Sequence, residues 1–153
     1  MRRFLLLTVT FVLLLSTLTS CFLKPKTDEE LIYERIDEFL TSYNSGDFEG
    51  VLNCLDAKTR NATKAMTNLM GSFGGSLLGV DIDLADLFGL GAGLAGGDMM
   101  NVQITELIIT SETTAQVHAV MTMKLYDQQQ TQTIIFGMVK ENKGWFIQNM
   151  IEA

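Results

Sequence analysis

Residues 115–126 read Ala115-Gln116-Val117-His118-Ala119-Val120-Met121-Thr122-Met123-Lys124-Leu125-Tyr126. Apolar side chains recur at every second position, from Ala115 through Val117, Ala119, Met121 and Met123 to Leu125, with Gln116, His118, Thr122 and Lys124 between them. Alternation with period two puts the first set on one face of a β-strand and the second on the other, so the apolar face needs a cover. Three more β-rich segments flank it, at 102–109, 131–140 and 145–151. The links between them are Ser111-Glu112, Asp127-Gln128-Gln129-Gln130 and Glu141-Asn142-Lys143-Gly144, short enough that sequential strands must be antiparallel neighbours.

The cover lies upstream. Thr27-Asp28-Glu29-Glu30 has the form of a capping box, in which a hydroxyl and a carboxylate satisfy each other's orphan backbone amides, and a helix should begin there. Ile32, Ile36, Phe39, Leu40 and Tyr43 follow at helical spacing until Asn44-Ser45-Gly46 ends the run. Asp47 can cap a short second helix carrying Phe48, Val51, Leu52 and Leu55. A third is expected from Asp56 to about Gly71, with Ala62, Met66, Leu69, Met70 and Phe73 on its core face. Three helices followed by a four-stranded meander make an α+β domain, with the helices on one face of the sheet.

Between the third helix and the sheet the character changes. Nine of the 13 glycines fall within 71–97, interleaved with Phe73, Leu77, Leu87, Phe88, Leu90 and other apolar residues. Such a stretch is apolar yet poorly disposed to regular structure, and it reads as an insert within the domain at 27–153.

The beginning of the chain specifies a location. Met1-Arg2-Arg3 is basic, residues 4–18 carry no charge, and Thr19-Ser20 are small or β-branched, the layout of an export signal over 1–20 that is cleaved. The apolar run is shorter than the roughly 20 residues that span a bilayer. Leu18-Thr19-Ser20-Cys21 resembles the lipobox of bacterial lipoproteins. That resemblance implies a diacylglyceryl thioether on Cys21, cleavage before it and acylation, palmitate included, of the new amino group. Two or more chains make a stable anchor. The expected location is the cell membrane or outer membrane of a bacterium, on the exported side. Residues 21–26 then form a short tether reaching about 15–20 Å, whose Lys24 and Lys26 would be drawn to anionic lipid.

Cleavage removes Arg2 and Arg3 and leaves 9 basic against 18 acidic residues, a formal charge of −9. An acidic domain of this kind is a poor nucleic-acid binder. With Cys21 lipidated, Cys54 has no intramolecular disulfide partner and reads as a small buried apolar residue beside Val51 and Leu55.

Asn44-Ser45-Gly46-Asp47-Phe48-Glu49-Gly50-Val51-Leu52 and Phe136-Gly137-Met138-Val139-Lys140-Glu141-Asn142-Lys143-Gly144-Trp145-Phe146-Ile147 resemble the helix link and the final hairpin of the nuclear transport factor 2-like superfamily. The likeness covers most of 27–153. It implies a cone in which helices close one side of a strongly curved sheet. The insert at 71–97 departs from that pattern where the cone's mouth would lie. Enzymes of the superfamily place acids, tyrosines or histidines inside the cone, so an isomerase- or hydrolase-type activity is the alternative to a binding role.

The residues themselves favour binding. The inward face offers Val117, Ala119, Met121 and Met123, none of which is a general base. Tyr43 is the best polar candidate and has no sequence-evident partner. Gly91-Ala92-Gly93-Leu94-Ala95-Gly96 matches the dinucleotide fingerprint as a string, but the strand before it and the helix after it are missing, and no cofactor is expected. Asp81, Asp83 and Asp86 lack the further oxygen donors calcium needs, and His118 is the only histidine, so no metal is expected. Asn61-Ala62-Thr63 has the form of a glycosylation acceptor, which a bacterial lipobox argues against. The remaining candidates are Phe39, Tyr43, Phe73, Leu77, Phe88, Met121, Met123 and Trp145. They could form an apolar pocket under a lid, a plug that fills the cone, or a surface for a partner protein in the envelope.

Overall fold

The computed structural model describes residues 25–78, 100–125 and 128–153. The leader, Cys21, Lys24, Phe88 and the glycine string at 91–96 lie outside the described residues. Three helices, α1 (Asp28–Ser45), α2 (Phe48–Cys54) and α3 (Ala57–Leu78), precede four strands, β1 (Met100–Ile109), β2 (Thr114–Leu125), β3 (Gln128–Glu141) and β4 (Gly144–Glu152). The strands form one antiparallel sheet in sequence order.

Local chemistry sets the helix ends. Glu30 N–H donates to Thr27 Oγ1 at 3.2 Å and Thr27 N–H donates to Glu30 Oε2 at 2.8 Å, so the capping box is closed in both directions. Gly46, at φ 72°, occupies the left-handed position that ends α1, where a side chain would be strained. Asp47 then caps α2 by accepting from Gly50 N–H at 2.9 Å, and Asp56 caps α3 by accepting from Thr59 N–H at 2.9 Å. These caps start each helix within a few residues of the end of the one before.

The core lies between α1, α2 and the inner face of the sheet. Ile32, Ile36 and Phe39 of α1 and Cys54 of α2 meet Ala115, Val117, Ala119 and Met121 of β2, and Ile134, Phe136, Met138, Trp145 and Ile147 of β3 and β4, all buried. Leu52 of α2 is buried too. The alternation at 115–121 therefore points inward as expected. Register shifts between Ile104 and Glu106 and between Gly137 and Met138 mark bulges, which bend and twist strands. At the second of them, Gly137 lets the Asn149 side chain cross where a Cβ would collide with it. The turn into β4 shrinks to Asn142-Lys143, with Asn142 at φ 55°, because Glu141 and Gly144 already pair.

Two elements differ from the sequence reading. β3 begins at Gln128, so the glutamines read as a link belong to a strand paired with β2 as far as Leu125. α3 runs to Leu78, through Gly71, Gly74 and Gly75. Each glycine costs roughly 1 kcal/mol against alanine, too little to stop a helix already nucleated, since every further residue adds a hydrogen bond. Among the described side chains of α3, moreover, none is buried, and Met66, expected on a core face, is 65% exposed. Thr59, Thr63 and Thr67 are turned partly inward. Thr59 Oγ1 donates to Gln148 O at 3.0 Å, while Thr63 and Thr67 hydroxyls each donate to the carbonyl four residues back at 2.9 Å. Thr59 thus ties the start of α3 to the sheet, while Asn61, Ala62, Ala65, Met66 and Asn68 are exposed.

The N-terminus of α1 is fastened to the last hairpin. Asp28 Oδ1 accepts from Lys140 Nζ at 2.6 Å and from Trp145 Nε1 at 3.0 Å. The Lys140 hydrogen bond, then that of Trp145, holds the Asp28 carboxyl below its ordinary value of 3.8. A depressed folded-state value means that stability from Asp28 is present above the ordinary carboxylate range and is lost as pH falls through the lower, folded value. In Asp28→Asn the deficit against the parent chain should be full near neutral pH and close below about pH 4. Urea midpoints measured across that range check it; a deficit that does not change with pH would show that the charge contributes nothing.

Candidate functional site

The inner face of the sheet divides into two halves along β2 and β3. Cross-strand partners share a face, and going out from the core they run Val117 with Phe136, Ala119 with Ile134, Met121 with Gln132, and Met123 with Gln130. The first two pairs are wholly buried, and Phe39 of α1 meets Phe136 edge to face at 6.2 Å between ring centroids. The last two form a stepped surface in which buried Met121 and partly buried Met123 stand beside exposed Gln132 and Gln130. The cone thus has a filled floor and a rim that pairs thioethers with primary amides.

The end of α1 frames this rim. Tyr43 is half-buried against the core and lies 6.2 Å from Phe39, ring to ring, tilted by 34°. Its neighbour Asn44 holds the start of β1 like a strand partner: Asn44 Nδ2 donates to Met100 O at 2.8 Å and Met100 N–H donates to Asn44 Oδ1 at 2.9 Å. A hollow of about 420 Å³ opens beside this clamp, lined by Asn44, Met100, Asn101, Thr122, Lys124 and Gln129. Its volume is in the range of small-molecule sites, but its lining is amide, hydroxyl and ammonium rather than apolar. A second hollow, of about 480 Å³, lies under the tether and is lined by Pro25, Lys26, Thr27, Glu30 and Glu34. Along it Lys26 Nζ reaches both Glu34 oxygens at 2.6 Å, which holds that lysine against α1.

Of the residues singled out in the sequence, Phe39, Met121 and Trp145 are core, at 3%, 5% and 1% exposure, and Tyr43 and Met123 flank it. Phe73 and Leu77 fall within α3, and Phe88 lies outside the described residues. Trp145 is at the far end of the sheet's inner face from Met123, opposite Lys140, so the structure does not bring the two together. The structure adds Gln130, which the sequence reading leaves in a link, and Gln132, which it places in the strand at 131–140 without a role. Their signal is present all the same: with Gln128 they continue, at spacing two, the inward set of Ile134, Phe136 and Met138.

The buried carboxylate, the histidine and the described thiol sit elsewhere. Asp56 is the buried charged residue among those described, and it is occupied as a helix cap while its N–H donates to Ile147 O at 3.0 Å. His118 pairs in register with Glu106 and Ile135, on the sheet face away from the helices. Cys54 is buried, and burial pushes its thiol up from 9.0 against a partial lowering by the Arg35 side chain. A raised thiol pKa leaves little thiolate for nucleophilic work. Lys26, the tether lysine expected to seek lipid, is engaged by Glu34. Among the described residues no three metal-ligating side chains gather, and no helix is long and apolar enough to cross a membrane.

No protein-family model matches the sequence, and no curated protein matches it. Among solved structures, the chain is similar to an NTF-2-like protein of unknown function from Shewanella oneidensis MR-1, with a TM-score of 0.54 and 11% identity over 81% of this chain and 97% of that one. A ketosteroid isomerase-like protein from Erwinia carotovora atroseptica SCRI1043 aligns over 78% of this chain and 90% of its own, at 16% identity and a TM-score of 0.46. The fold, three helices and then a four-stranded open antiparallel sheet, is nuclear transport factor 2-like.

Proposed function

We propose that this chain is an envelope lipoprotein, held by a lipid on Cys21 to the cell membrane or outer membrane of a bacterium, whose nuclear transport factor 2-like domain works as a binding or interaction module on the exported side. The observation that carries the binding reading is the filled floor of the cone. Phe39, Ala119, Ile134 and Phe136 are buried there, and none of them is a general acid or base. Beyond it lies a rim of partly buried Met123 with exposed Gln130 and Gln132, set over buried Met121 and next to Tyr43 and the Asn44 clamp. Methionine adapts its shape to varied guests, and two primary amides supply donors and acceptors for a ligand's polar end. An amphipathic molecule, a lipid, or a segment of an envelope protein meets both requirements.

Two experiments test the two parts separately. Cys21→Ser should free the chain from membranes or leave it unprocessed; unchanged fractionation and unchanged lipid labelling would sink the anchor. For the rim, native mass spectrometry of the chain purified from its own host membranes should show a bound species that is lost on Met123→Asp. A bare mass in the parent chain, with the rim folded and empty, counts against a ligand there.

A further inference from the structure

We infer that the hollow at the Asn44 clamp takes an oxyanion, so that the molecule held at the rim is an amphiphile with an anionic head and an apolar tail. Strand lengths make the hollow. β1 begins at Met100, opposite Met123, while β2 continues to Leu125, and no described residue pairs with that last stretch on its β1 side. At this corner of the sheet Asn44, Met100, Asn101, Thr122, Lys124 and Gln129 line the space of about 420 Å³. Four of them belong to one face of the sheet: Thr122 and Lys124 lie two apart on β2, Asn101 pairs with Thr122, and Gln129 pairs with Lys124. Such neighbours stand about 5 Å apart across strands and about 7 Å apart along them, so the ends of their side chains can converge on one carboxylate or phosphate group. The wall behind them is set in advance, because Asn44 and the Met100 backbone hold each other through hydrogen bonds of 2.8 and 2.9 Å.

Charge selects the head. The lining offers an ammonium, amide N–H groups and a hydroxyl, and no carboxylate stands among its described residues. This occurs in a chain with 18 acidic and 11 basic residues, where cations find acidic partners readily. Among the described residues Lys26, Arg35, Lys64 and Lys140 each hold a carboxylate, and Arg60 is spent on Leu55 O. Lys58, Lys124 and Lys143 have no ion pair there, and Lys124 is the one of the three that lines either hollow described above. An unpaired ammonium set among further donors favours an anion. The tail follows from the register. Met100, which lines the hollow, is the cross-strand partner of Met123, so the hollow opens beside the methionine rim. A tail leaving past Met100 meets Met123, whose thioether adapts to it. The inference rests on the rim reading for the tail alone.

The probes are octanoate and its neutral counterpart octanamide. Each is titrated against the full chain in nanodiscs of zwitterionic lipid, with empty nanodiscs as the baseline and binding read by saturation-transfer NMR. Octanoate should bind the parent chain more tightly than octanamide. Lys124→Gln should weaken octanoate by about three- to fivefold, the contribution of an exposed ion pair at the upper end of its range, and leave octanamide where it was. Lys124→Arg should restore the preference, and Lys58→Gln, which removes an exposed charge elsewhere, should leave both probes unaffected. Equal binding of the two probes, unchanged by Lys124→Gln, overturns the anionic head and leaves the rim standing. A Lys124-dependent octanoate signal that survives Met123→Asn, or acetate bound as tightly as octanoate, overturns the tail and leaves a site for a free anion. Binding of neither probe removes both the rim and the head site.

Discussion

Trp145→Ala should cost about 3–5 kcal/mol of stability, the range for truncating a large buried aromatic, and is the most damaging single change expected in the described domain. Trp145 is 1% exposed and fills the inner face of the last hairpin. Its carbonyl accepts from Arg35 Nε at 2.8 Å and its indole N–H donates to Asp28 at 3.0 Å, so both ends of the residue hold α1 to the sheet. Truncation opens a cavity and removes one of the two side-chain donors on the Asp28 carboxylate. Trp145→Phe keeps most of the packing while losing the donor, and should be milder. Urea denaturation separates the variants. A Trp145→Ala chain as stable as Trp145→Phe would mean that the ring volume is unimportant and that the site collapses without a void.

Phe136→Ala is the second large effect, again about 3–5 kcal/mol. Phe136 is fully buried and packs edge to face on Phe39, which is itself 3% exposed. Such pairs carry about 0.5–1.5 kcal/mol beyond the area they bury. The double variant with Phe39→Ala should therefore be less damaging than the two single losses added together. The same variants report on the floor of the cone. Were Phe136→Ala to unfold at the parent's denaturant concentration, the floor would be loosely filled, and the step from a plugged interior to a rim-binding module would fall with it.

The features legible in the sequence are those set by neighbours along the chain. Thr27 and Glu30 cap α1 whatever packs on it, Gly46 stops it, and the alternation at 115–121 fixes which side of β2 is inward. What is not legible depends on which surface meets which. The apolar face of α3 around Met66 has helical spacing as good as that of α1, but periodicity marks a face without saying what lies against it. Here Thr59 ties the helix to Gln148 O instead, while the Thr63 and Thr67 hydroxyls are satisfied within the helix. The glutamines at 128–130 read as a loop because of their polarity, yet a strand that projects beyond its cover has no need of apolar residues. Gln130 of the candidate rim is hidden for that same reason, while its Met121 and Met123 half is legible from spacing alone.

While Glu34 holds Lys26 against α1, the proposed anchor is left with the link from Cys21 to that lysine, roughly 17 Å when fully drawn out. A head on so short a leash would sample a thin shell of space just above the phospholipid surface. Anything it engaged would itself have to come down to that shell, or already live there.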